Sequence, residues 1–332
     1  MRSVFVLSVA ILASLVVAQT AGAATVTPNP ATRLAAATFV AAPGEANDVT
    51  VSSRTGTSSS VTITDSGAPL TLAGSLASAC TSPDAHTVTC PWPGQRYAAQ
   101  VNAGDRNDVV TAAGDTPLSA DGGSGRNRLV GGTEHDSLSS AHGGDDTLIG
   151  GAGPDIFRVS DRRTDVHCGG GSDVVNEEVG AAGRWSKAQN PTLTADCESL
   201  VAMDATVDGP YVSDVYQLKV ALTKLRRHGA TVTLPVTAFL FGRNSPFSLA
   251  AILQPPTGTK TLARLTRRLT LGHKGEPLAG RNVSGTLRFP VPARQASTLR
   301  SGRRVHLVVV NHAQTRDWLD GPARLSATVT IR

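Results

Sequence analysis

The sequence predicts an all-β chain: a parallel β-roll or β-solenoid followed by an antiparallel immunoglobulin-like β-sandwich. Three observations carry this. A glycine-rich turn ending in Asp recurs every nine or ten residues through 103–176, and seven β-type runs without that repeat follow beyond 204. Aromatic residues make up only 4 % of a sequence rich in Gly, Ser and Thr. Such a composition suits short strands and tight turns better than long helices.

At 332 residues and 40 % hydrophobic content, the chain is long enough for two domains with buried cores. Charge divides it sharply. Residues 24–209 carry 11 basic and 22 acidic side chains, whereas 210–332 carry 19 basic and 4 acidic. Opposite halves of this kind place a domain boundary near 205–212. The expected organisation is a signal peptide at 1–23, N-terminal β rungs or a β-cap at 24–100, a glycine-rich roll at 101–204 and a basic sandwich at 205–332.

The first segment has Arg2, an apolar run over 4–17 and the small-residue sequence Ala21-Gly22-Ala23. That is the pattern of a secretory signal peptide cleaved near Ala23 or Ala24, with a retained N-terminal anchor as the alternative. The run is short for a membrane span, and no later segment reaches about 18 continuous apolar residues. Export makes two disulfides the natural state of Cys80, Cys90, Cys168 and Cys197. Of the three possible pairings, joining sequence neighbours is the simplest: Cys80 with Cys90 and Cys168 with Cys197. Two pairs of free thiols are the alternative. No Cys-x-x-Cys pair favours zinc.

Between 24 and 100, runs at 36–40, 48–52, 61–64 and 86–89 alternate apolar and small polar residues between Pro, Gly and Ser. These read as irregular early rungs, or as a cap covering the open sheet edges at the end of a solenoid.

The repeat proper is clearest in Gly150-Gly151-Ala152-Gly153-Pro154-Asp155-Ile156-Phe157-Arg158, which fits G-G-x-G-x-D-x-apolar-x at every specified position. Its turn-ending residues are Asp108, Asn127, Asp136, Asp146, Asp155 and Asp173. The apolar residues two places on are Val110, Leu129, Leu138, Leu148, Phe157 and Val175. Their spacing implies half-turns of about nine residues and a full turn of about 18, with alternate turns on opposite sides and the apolar residues stacked inward. Two half-turns have lost the glycine pattern, at Thr116-Pro117 and Thr164-Asp165. Arg106 and Glu134 stand where their copies would carry a glycine.

Calcium is a hard cation that takes six to eight oxygen ligands, and glycine-rich turns aim several backbone carbonyls at one point. The turn-ending Asp adds charge, and stacked carboxylates without a cation would repel. The strongest expected site lies between 150–155 and 169–173, using Asp155, Asp173 and the turns of Gly150, Gly151, Gly153, Gly169 and Gly171. A second is expected between 131–136 and 150–155, bringing in Asp136. A third, on the opposite side, would use Asn127, Asp145 and Asp146. The alternative is that Gly and Asp are there only as turn formers.

These residues resemble the hemolysin-type (RTX) calcium-binding repeat family over roughly 101–180. The segment 165–175, followed by Asp196-Cys197-Glu198, looks like the end of such a repeat region in secreted bacterial proteins. The resemblance implies a parallel β-roll with Ca2+ ions between turns. Members that use one-step export lack a cleaved N-terminal signal, so toxin function is not carried over to this chain. Extracellular calcium is high enough to fill weak sites after export.

Beyond 204 the β-type runs are 215–223, 230–238, 248–253, 262–271, 285–291, 305–310 and 323–331, which suggest the sandwich. A short helical turn is expected within 292–299, and 220–227 reads as strand or helix. Arg226-Arg227, Arg267-Arg268 and Arg303-Arg304 lie among these runs. They suit an anionic cell-wall polymer or acidic polysaccharide, or else form a solvated positive face. Export and few aromatics speak against nucleic acid.

No H-E-x-x-H, G-x-S-x-G or Walker-type motif is present, and the eight His are scattered, so no catalytic residue is assigned. The expectation is an exported, non-enzymatic calcium-binding protein acting as a surface or matrix binding module. The competing class is a carbohydrate-active β-solenoid enzyme, a lyase or hydrolase on acidic polysaccharide.

Overall fold

Apolar residues at every second position, interrupted by glycine turns, send the chain back and forth between two sheets. The computed structural model describes residues 22–29, 34–75, 77–140, 144–159, 164–179, 192–193, 196–204, 214–242, 247–257, 260–265, 267–271, 281–311 and 324–332. The apolar run of the expected signal peptide and the expected boundary at 205–212 lie outside the described residues.

The N-terminal part contributes β1 (Ala24–Pro28), β2 (Ala35–Val40), β3 (Asp48–Arg54), β4 (Ser60–Asp65), β5 (Leu70–Leu72), β6 (Thr81–Asp84) and β7 (Thr87–Pro91). Strands β2 and β3 pair in parallel with the first strands of the glycine-rich segment. By contrast, β1 joins β2, and β4 joins β3 and β7, in antiparallel fashion. The Cys80–Cys90 disulfide ties this antiparallel end.

The glycine-rich segment forms β8 (Tyr97–Asn102), β9 (Val109–Ala113), β10 (Leu118–Asp121), β11 (Arg128–Val130), β12 (Ser137–Ser140), β13 (Asp146–Ala152), β14 (Ile156–Val159), β15 (Thr164–Gly170), β16 (Val174–Val179), β17 (Thr192–Leu193) and β18 (Ser199–Asp204). Even-numbered strands pair in parallel in one sheet and odd-numbered strands in the other. Parallel register stacks like residues. One sheet carries the column Phe39, Val101, Ala120, Leu138, Phe157 and Val175. The other carries Val49, Val110, Leu129, Leu148, Val166 and Leu193. All twelve are buried, including the six apolar positions read from the repeat. The second disulfide, Cys168–Cys197, joins β15 to the segment just before β18.

The basic part supplies β19 (Asp214–Ala221), β20 (Arg226–His228), β21 (Thr231–Gly242), β22 (Phe247–Gln254), β23 (Ala263–Arg264), β24 (Leu269–Leu271), β25 (Arg281–Pro290), β26 (Arg304–Asn311) and β27 (Arg324–Thr330). Among themselves these strands pair antiparallel. They extend the two parallel sheets: β19 bonds to β18 antiparallel, and β27 meets β17. The run 262–271 is split into two short strands. At 220–227 the strand–helix ambiguity resolves into strand, a 3-10 turn at Leu222–Lys224 and strand again. The helical turn expected within 292–299 is Ala293–Gln295.

Two substitutions test the packing. Phe157 is fully buried in its column, so Phe157→Ala removes a large side chain with no exposed route to collapse and is expected to cost roughly 3–5 kcal/mol in urea unfolding. Arg106 is the only described non-glycine residue with positive φ, at 86°, in the position that Gly125, Gly153 and Gly171 fill elsewhere. A left-handed conformation costs an L-residue about 1–2 kcal/mol, so Arg106→Gly is expected to raise the urea midpoint.

Candidate metal centre: two buried carboxylate ladders

Each glycine turn ends on an acidic or amide side chain that reaches back to the turn before it. Along the edge where the chain passes from the odd-numbered to the even-numbered sheet, the Leu118 N–H donates to Asp136 Oδ1 at 2.7 Å. Asp136 N–H then donates to Asp155 Oδ1 at 2.8 Å, Asp155 N–H to Asp173 Oδ1 at 2.8 Å, and Asp173 N–H to Glu198 Oε2 at 2.9 Å. The opposite edge repeats the device. Asn47 N–H donates to Asp108 Oδ1, Asp108 N–H to Asn127 Oδ1 and Asn127 N–H to Asp146 Oδ1, at 2.7, 3.0 and 2.7 Å.

The partition of turn-ending residues read from the sequence is therefore the one observed: Asp136, Asp155 and Asp173 on one edge, Asp108, Asn127 and Asp146 on the other. Asp145 is the exception. It is exposed at its turn and stands outside the buried ladder, because the residue that continues into β13 facing inward is Asp146. Three ladder members were not assigned as site residues from the sequence: Asn47, Asp108 and Glu198. Each has an apolar residue two places on, Val49, Val110 and Leu200, as every assigned member does. That spacing finds them; the full glycine motif misses Asn47 and Glu198.

The skipped half-turns show what replaces the pattern. Leu118 takes the ladder position before Asp136. In the preceding turn, buried Thr116 bonds through its hydroxyl to the Ala113 carbonyl at 2.6 Å and accepts the Ser53 N–H at 2.8 Å. Thr164 lies in register with Asp146, and its hydroxyl meets that of Ser140 at 3.1 Å.

One oxygen of each ladder carboxylate is thus engaged, and the other decides the chemistry. Oδ2 of Asp108, Asp146, Asp155 and Asp173 is buried without a hydrogen-bond partner; Oδ2 of Asp136 accepts the Gly132 N–H at 2.7 Å. Removal from water pushes these carboxyls up, to about 6 for Asp108, Asp146 and Asp173, about 7 for Asp136 and about 8 for Asp155. Asp155 is raised further by its ladder neighbours Asp136 and Asp173. An unpaired buried charge is costly, so these side chains call for a proton or a cation.

Glycine makes room for oxygens to gather. A Cβ on Gly150 would lie 2.3 Å from Asp155 Oδ2 and 2.4 Å from the Cys168 carbonyl oxygen. One turn earlier, a Cβ on Gly131 would lie 2.3 Å from Asp136 Oδ2 and 2.2 Å from the Gly150 carbonyl oxygen. Each cradle thus pairs a carboxylate oxygen with a carbonyl oxygen of the next turn. Gly151, Gly153, Gly169 and Gly171 all have positive φ, and a Cβ on any of them would come within 2.6 Å of a carbonyl oxygen in the turn before it. Among the described residues no three His, Cys, Asp or Glu side chains gather as a metal cluster. The donor set is instead one carboxylate per turn plus backbone carbonyls, all oxygen, which fits a hard cation such as calcium and not zinc.

His135 is occupied otherwise. Its Nδ1 meets the Pro154 carbonyl, and its Nε2 meets Arg96 and, at 3.4 Å, the Tyr97 hydroxyl. The chain matches no family model, and neither a curated protein nor a solved structure is significantly similar to it.

Proposed function

We propose that this chain is an exported, non-enzymatic calcium-binding protein. In this reading the parallel part is a β-roll of the hemolysin-type repeat kind, and the antiparallel part is an immunoglobulin-like sandwich that meets an anionic cell-wall polymer or acidic polysaccharide. The single observation that carries the metal reading is Asp155. Its carboxylate is fully buried, one oxygen has no partner, and that oxygen shares the space beside Gly150 with a backbone carbonyl.

The residues that would hold calcium are Asp136, Asp155 and Asp173 with the carbonyls of the 131–136, 150–155 and 169–173 turns. Asp146 and Asn127 form the weaker counterpart on the other edge. The ion would supply the positive charge that two adjacent buried carboxylates need in order to ionise together. The protein's own part is positional: backbone N–H groups fix one oxygen of each carboxylate, and glycines let the other approach carbonyls. Two disulfides point to an oxidising compartment, which supports an extracellular setting where calcium is plentiful. No helix among the described residues is long and apolar enough to cross a membrane.

Thermal unfolding tests the reading directly. A ligand held only by the folded state raises the melting point with concentration, by an amount worth about 2.7 kcal/mol at a hundred times its Kd. Millimolar calcium is expected to raise Tm relative to chelator in the wild type and to do so much less in Asp155→Asn and Asp173→Asn. A wild-type Tm that ignores calcium would remove the proposal.

The raised carboxyl pKa values give a second test with a defined sign. In chelator, the unfolded chain loses these protons near pH 4 while the folded chain keeps them to about 6–8. Their contribution to stability is therefore fully present below about pH 4 and is lost as pH rises through about 6–8. Calcium, which favours the ionised form, is expected to flatten that decline. Urea midpoints across this range, with and without calcium, check both limbs; a chelated protein that gains stability between pH 5 and 8 would contradict the assignment.

A further inference from the structure

The basic part contains a groove that the calcium reading leaves unused. Strands β20, β21 and β25 lie side by side, and their register aligns Arg226, Thr233 and Arg288 across the sheet, with His228, Thr231 and Pro290 in the next row. Val232, Leu234, Leu287 and Phe289 are buried in the core. Strand alternation therefore puts Thr231, Thr233, Thr286 and Arg288 on the opposite face. The segment leading into β24 borders that face with Arg267 and Arg268. Together they line an open groove of about 730 Å3.

Its described lining has one sign of charge. Arg267, Arg268 and Arg288 are exposed, and none of their guanidinium groups makes an ion pair or hydrogen bond among the described residues. Among the described residues no Asp or Glu lines the groove. Arg227 is a useful contrast: its guanidinium is spent on the carbonyls of Gly229, Ala296 and Leu299, so it is structural and not part of a binding surface. Three guanidinium groups gathered in one groove repel one another, and a bound anion removes that repulsion through bidentate hydrogen bonds. Threonine hydroxyls along the floor suit the hydroxyl groups of a sugar. Among the described residues no Phe, Tyr or Trp lines the groove, so it lacks the broad aromatic platforms on which nucleic-acid bases stack.

We infer that this groove binds an acidic polysaccharide through its carboxylate groups, with Arg267, Arg268 and Arg288 as the anion contacts and Thr231, Thr233 and Thr286 as sugar contacts. The inference rests on the polymer-binding half of the proposed function and gives it a location; it is independent of the calcium sites.

The test uses the full chain and a fluorescently labelled oligogalacturonate, with binding followed by anisotropy from 50 to 300 mM NaCl. Polyphosphate of similar length and Arg303→Gln/Arg304→Gln serve as controls. Arg288→Gln and Arg267→Gln/Arg268→Gln are expected to weaken oligogalacturonate binding at least tenfold and to reduce its salt dependence. Arg303→Gln/Arg304→Gln should change it less than twofold, and all variants should keep the wild-type Tm. Equal weakening by the groove and control variants would overturn the groove while leaving the polymer reading intact. Tighter binding of polyphosphate would overturn the choice of a carboxylated polysaccharide, and absence of oligogalacturonate binding in the wild type would overturn both the groove and the polymer reading.

Discussion

The hydrogen bond from a backbone N–H in one turn to a buried carboxylate in the next is the contact on which the parallel half depends. Sheet hydrogen bonds hold strands in register, but turns between parallel strands leave backbone donors that must be satisfied somewhere. Here the donor at each turn end is met by the side chain of the following turn, repeated down both edges. Register and charge are thereby inseparable. A residue able to take the bond without a full charge, such as Asn127, keeps the register and relieves repulsion between Asp108 and Asp146.

Packing follows from the same constraint. Once turns are locked one above another, like residues fall into columns, and the core becomes two facing stacks of single side chains. This explains why a chain with few aromatic residues still buries a continuous interior: the columns need uniform medium-sized residues, with Phe39 and Phe157 as occasional large members. It also explains how the antiparallel strands attach. The last parallel strands present unpaired edges, and β19 and β27 cover them.

Much of this was legible in the residues. The apolar position two after each turn end gave the core columns, the repeat phase gave the two edges, and the cysteine spacing gave both disulfides. What the glycine motif hid were Asn47 and Glu198, ladder members whose turns lack the glycines, and the outward placement of Asp145, which depends on where β13 begins. Arg106 shows the limit of motif matching from the other side: its turn keeps the glycine-type backbone at a residue that is not glycine. The arginine groove was out of reach because it is assembled by antiparallel pairing of strands distant in sequence, and Arg226-Arg227 divides into one aligned residue and one tied to carbonyls. Arginine pairs that look alike in sequence differ in this way only once strand alternation is known.

The ladder also has a direction. In every one of its bonds the earlier turn gives the N–H and the later turn gives the acceptor, so no turn is complete until its successor arrives. A chain emerging from the ribosome N-terminus first would carry each new turn with an unmet donor, and the last bond on the longer edge closes only with Glu198. The Cys168–Cys197 link sits beside that closing residue. It can act as a clasp: once oxidised, it keeps the final acceptor in place and prevents the stack from unravelling backwards, turn by turn, from its far end.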